Sequence, residues 1–124
     1  MATHAPSLVT IDPTKESQVG IALEPVTKGI SVTRETFWLR KSCEEVAEWF
    51  CLRTHEHGKD SPCFTVKFDK DGTPFMSSVF VSNNQGYACS DQLRRDIVPS
   101  DRIYHYHVYI AGQTPLDPGG GVKP

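Results

Sequence analysis

His105 and His107 stand in the run Asp101-Arg-Ile-Tyr-His-Tyr-His-Val-Tyr-Ile110. Alternate side chains of a strand share a face, so an extended run here projects both imidazoles from one side. Two neutral imidazoles on a stiff element are half of a transition-metal site. A hydrolytic zinc centre would add a carboxylate and keep one position open for water. Thr114 and Asp117 follow closely, and Asp117 could supply that carboxylate from the next loop. The plainer reading is a pair of surface imidazoles beside Tyr109, forming a contact patch. Ile103, His105, His107 and Tyr109 share the outward face, while Tyr104, Tyr106, Val108 and Ile110 make the more apolar face expected to meet the core.

Other residues carry chemistry less completely. His55-Glu-His57 is a second His-x-His, but it falls where a helix end is expected, and residues two apart on a helix do not share a face. Favourable interaction with the helix C-terminus accounts for those histidines. Cys43 would open a helix, a position that lowers a thiol pKa, and His105 could serve as its base in a thiol hydrolase. Cys43 is also the first residue of an apolar stripe, which makes it a packing thiol. Asp69-Lys-Asp-Gly72 has the residue types of a hairpin turn and lacks the distal glutamate of a calcium loop.

His105-Tyr-His107 followed by Thr114-Pro-Leu-Asp117 resembles the His-x-His…Ser-x-x-Asp motif of the JAB/MPN zinc-metallopeptidase superfamily, loosely over residues 42–117. The resemblance implies His105, His107 and Asp117 as zinc ligands and Thr114 in the place of the assisting serine. Val108 stands where the family usually has proline, and the spacing from His107 to Thr114 is one residue short. No glutamate lies in Cys63–Phe68 or Phe75–Val81 to act as base, and Glu56 is the nearest upstream. A zinc hydrolase lacking its base loses a proton transfer worth roughly 10²–10⁴-fold, so the resemblance implies an inactive relative as readily as an enzyme.

These residues need elements to hold them. Ser42 and Glu45 fit a Ser-x-x-Glu capping box, and Cys43, Val46, Ala47, Phe50, Cys51 and Thr54 follow at helical spacing. Acidic residues open the segment, Arg53, His55 and His57 close it, and Gly58 is a natural stop. The pattern predicts an amphipathic helix over about residues 43–56, with Trp49 off its apolar stripe and free to meet a partner. Phe64, Val66 and Phe68 alternate with Thr65, Lys67 and Asp69, and Phe75–Val81 reads as the returning strand of a hairpin over 63–82. Ser90–Ile97 reads as a short capped helix ending before Pro99, and residues 102–111 as the last strand. Residues 1–17 read as a poorly ordered lead, 18–117 as one domain and 118–124 as a flexible glycine-rich tail.

At 124 residues the chain fits one domain with a single core. A net charge of −2, with Arg94-Arg95 flanked by Asp91 and Asp96, argues against a phosphate-backbone partner. No apolar run approaches the about 18 residues needed to cross a bilayer, and the N-terminus has no secretory pattern. The four cysteines include no Cys-x-x-Cys. Cys43 and Cys51 would sit about 12 Å apart along one helix, too far to bridge. Four reduced thiols in a cytoplasmic protein are therefore expected. The expectation is an α+β protein, one helix across an antiparallel sheet. It works without a cofactor as a binding or accessory protein for a protein partner, through Trp49, His105, His107 and Tyr109. A zinc hydrolase is the alternative, and a Cys43/His105 hydrolase a further one.

Overall fold

The computed structural model describes residues 11–53, 63–69 and 72–124. These residues form nine strands: β1 Gln18–Leu23, β2 Ile30–Val32, β3 Thr36–Arg40, β4 Glu48–Cys51, β5 Thr65–Phe68, β6 Val79–Val81, β7 Tyr87–Cys89, β8 Tyr104–Tyr109 and β9 Gly119–Lys123. The first sheet runs β2-β1-β4-β7 and the second β3-β9-β8-β5-β6. Both are mixed. The pairs β1/β4 and β3/β9 are parallel, and the remaining pairs are antiparallel. The inward faces enclose an aromatic core in which Phe37, Trp49, Phe68, Phe75, Phe80 and Tyr106 touch one another. No helix among the described residues is long and apolar enough to cross a membrane.

The α+β expectation is overturned, because the described residues are nearly all sheet and those of the segment assigned to its helix form no α-helix. Lys41–Cys43 makes one 3₁₀ turn, Glu44 adopts a left-handed conformation, and Glu48–Cys51 is an interior strand between β1 and β7. Residues 43, 46, 47, 50 and 51 satisfy a helical period, but Ala47, Trp49 and Cys51 also satisfy a period of two. The indole decides between them. A helix with that stripe leaves Trp49 outside, whereas the strand buries it completely. Burying an aromatic side chain of about 150–250 Å² at ~25 cal/mol/Å² is worth roughly 4–6 kcal/mol. A helix cap is worth about 1 kcal/mol. Glu45 still reaches backwards, but its carboxylate accepts the Arg40 N–H at 2.7 Å rather than that of Ser42.

Two further expectations are corrected. Ser90–Ile97 is not helical, because its backbone bonds to other segments. Ser90 exchanges bonds with Ala47, Leu93 bridges Phe75, and Arg94 donates to Pro74. The glycine-rich tail is β9, held between β3 and β8. Its glycines let aromatic rings lie flat on the backbone. A Cβ at Gly120 would fall within the Phe37 ring, and one at Gly121 within the Trp38 indole. Each glycine costs roughly 0.5–1 kcal/mol of ordering, and the close approach of the rings offsets it.

Residues ahead of β1 are tied in as well. Trp38 N–H donates to Glu16 C=O, Glu48 N–H donates to Ser17 C=O, and Lys123 pairs with Glu16 at 2.8 Å. The cysteines are not all reduced. Cys51, at the end of β4, is bonded to Cys63, just ahead of β5, with Cα atoms 6.6 Å apart, and Cys43 and Cys89 are free. That separation lies within the disulfide range. The pairing depends on the two sheets bringing β4 and β5 together, which residue spacing does not reveal.

Candidate functional site: the outer face of the second sheet

Strand β8 lies extended, with Tyr104, Tyr106 and Val108 in the core and His105, His107 and Tyr109 turned outward. Directly opposed residues of paired strands point to the same side. Register therefore places Val81, Thr65 and Tyr109 in one outward row, and Val79, Lys67 and His107 in the next. Val79 is 45% exposed, Val81 53% and Tyr109 39%. Three large apolar groups, two from β6 and one from β8 across the intervening β5, thus share an open face with a lysine and two imidazoles. Thr65 and Lys67 are readable as outward from the hairpin alternation. Val79 and Val81 become visible only once their strand is registered against β5.

His107 and Asp117 are in direct contact, Nδ1 to Oδ1, and the His107 ring lies 5.9 Å from that of Tyr109. Leu116 bridges back to Val108, which brings the following residue up to the strand. His105 opens instead onto a cleft of about 490 Å³ that Glu24, Glu35, Leu116 and Asp117 also line. Thr114 is exposed in the loop. Among the described residues, no three histidine, cysteine or carboxylate side chains are grouped to hold a metal ion. His107 and Asp117 form a pair, and His105 does not complete a triad with them.

The remaining candidates separate. Trp49 leaves the proposed contact surface, because it is fully buried and donates its N–H to Tyr106 Oη at 3.2 Å. Cys43 lies beyond Arg40 at one end of β3, while His105 pairs with Gly119, which pairs with Thr36 at the other end. The strand between them spans about 13 Å. A Cys43/His105 couple is not assembled. His55, Glu56 and His57 lie outside the described residues.

A polar cluster occupies the outer face of the first sheet. The Tyr87 hydroxyl donates to Glu48 Oε2 at 2.5 Å, and Gln18 donates to Glu48 Oε1 at 3.1 Å. Burial, and secondarily the bond to Glu48, raises the Tyr87 phenol above its ordinary value. Burial raises the neighbouring Cys89 thiol as well. A raised thiol is protonated and a poor nucleophile, so this cluster pins β1, β4 and β7 rather than activating Cys89. Comparison with family models, curated proteins and solved structures found no match.

Proposed function

We propose that the protein is a non-catalytic binding module that engages a protein partner through the outer face of β5, β6 and β8. One observation carries this reading: Val79 and Val81 of β6 and Tyr109 of β8 are exposed together on the same face, on either side of β5. Clustered exposed apolar groups beside polar ones are characteristic of interaction surfaces, and tyrosine is enriched at their energetic centres. Lys67, His105 and His107 supply the polar surround, and the reading needs no cofactor. The cytoplasmic expectation takes four reduced thiols together with the lack of a visible signal peptide or spanning segment. With Cys51 and Cys63 bridged, we place the protein in an oxidising compartment, where such bonds persist.

The reading is tested by placing a photoreactive phenylalanine analogue at Val81, and in a second variant at Val98, which is 72% exposed and outside the patch. The Val81 variant should give a discrete crosslinked adduct in native extract, and Val98 should not. Equal labelling at both positions, or none at Val81, removes the proposal.

A further inference from the structure

A cleft of about 560 Å³ opens beside the start of β6, between the 73–79 segment and Arg94. Bonds to the 92–94 segment fix its frame. Met76 N–H donates to Gln92 C=O, Arg94 N–H donates to Pro74 C=O, and Leu93 bridges Phe75. Two of its hydroxyls are already committed as donors. Thr73 Oγ1 donates to the Ser77 carbonyl at 2.8 Å, and the Ser77 hydroxyl donates to the Asp91 carboxylate at 2.5 Å. Met76, 68% exposed, and Val79 give the cleft apolar walls open to water, and Phe75 reaches it from the core. Among the described residues, Arg94 is the one charged group in the lining. Its Nε is screened from water and has no hydrogen-bond partner. Asp96 stands 3.7 Å from that nitrogen on a largely exposed side chain, too far for a hydrogen bond and a weak attraction in water. The guanidinium is thus left poorly answered between apolar walls, where polar groups ordinarily have partners.

We propose that this cleft binds a small aliphatic monocarboxylate, with its carboxylate on Arg94 and its chain against Met76 and Val79. The charge of the lining calls for an anion, and the planar fork of an arginine meets a carboxylate with two parallel bonds. The supply of donors narrows the class further. With Thr73 and Ser77 donating inward, the guanidinium and the Ser78 hydroxyl are left to a ligand. They suit the pair of oxygens of a carboxylate and fall short of the three acceptor oxygens of a phosphate. The volume lies within the range of small-ligand sites, about 300–1,000 Å³, and a methionine wall adapts to chains of varied shape. The site shares Val79 with the contact face and does not depend on a protein partner.

The test titrates the purified full chain with sodium hexanoate and follows amide, methyl and arginine Nε–H resonances by NMR. Hexanoate should shift Met76, Val79 and Arg94 saturably at millimolar concentration. Hexanol, hexylamine and inorganic phosphate should each bind about tenfold or more weakly. Arg94→Gln should weaken hexanoate by a similar factor, whereas Arg95→Gln, on the exposed neighbour, should leave it unchanged. Val79→Glu sets a like charge at the mouth of the cleft on an exposed side chain, so it should also weaken hexanoate and decides the matter even where Arg94→Gln disturbs the fold. The absence of a saturable shift, binding of hexanol or phosphate as tight as that of hexanoate, or shifts centred away from Arg94 overturns the proposal. The outcome leaves crosslinking at Val81, and with it the contact-surface reading, to be decided separately.

Discussion

Trp49 donates its indole N–H to the Tyr106 hydroxyl at 3.2 Å, joining an interior strand of one sheet to the middle strand of the other. Trp49→Ala should cost about 3–5 kcal/mol and Tyr106→Phe about 1–3 kcal/mol, because the latter strands a buried donor. Urea unfolding of both single variants and the double variant measures this. Additive losses would show that the bond adds nothing beyond packing.

Stability should fall on the alkaline side. Burial raises the Tyr106 phenol, with the Trp49 N–H pulling the other way, and burial followed by the Glu48 bond raises Tyr87. In the unfolded chain both ionise near pH 10. A folded pKa above the unfolded one leaves the contribution intact below about pH 10 and removes it as pH climbs toward the folded value. Urea midpoints measured across that range should drop, and Tyr106→Phe should flatten the drop. An unchanged slope in that variant would contradict the assignment.

Intact mass under non-reducing conditions should show one disulfide, and peptide mapping should place it between Cys51 and Cys63. Replacing both by alanine should cost roughly 2–4 kcal/mol by the loop-closure account. Alkylation of all four thiols in the unreduced, unfolded protein would refute the bridge.

Gly120→Ala should destabilise by about 1–3 kcal/mol or more, since the new methyl collides with Phe37. Gly72→Ala is the control, because its Cβ meets nothing closer than 3.6 Å. Thermal melts of the two should separate clearly, and equal melts would mean β9 does not lie under that ring.

Acid should weaken the tie between the N-terminal segment and β9. The Lys123 ammonium bonded to Glu16 lowers that carboxyl below its ordinary value of 4.5. A depressed folded pKa contributes stability above the unfolded value and loses it as pH falls through the folded one. Both groups are partly exposed, so the effect should stay below about 1 kcal/mol. Carboxyl resonances of Glu16 followed by NMR, with and without Lys123→Met, should show the shift vanish in the variant.

What the residues disclose on their own depends on how far apart the deciding contacts lie. Strand β8 is legible because its alternation of tyrosines and histidines is local, and the outward imidazoles follow from it. The 43–56 segment misleads because one set of apolar residues satisfies two periods. The choice belongs to Phe37, Phe68 and Tyr106, which surround Trp49 from other strands. Gly119–Lys123 carries linker composition, and nothing near it in sequence says that Phe37 and Trp38 need a strand without side chains. Within the site, His105, His107 and Tyr109 can be placed from their own strand, whereas Val79 and Val81 join them only through register with β5.

The place of β9 between β3 and β8 sets an order of events during synthesis. Strands β3 and β8 leave the ribosome before the neighbour they share, and Thr36 must wait for Gly119. Such distant pairing is slow, on the order of milliseconds to seconds. Until Gly119–Lys123 emerges, the rings of Phe37 and Trp38 have no backbone to rest on, and the facing edges of β3 and β8 stay unpaired.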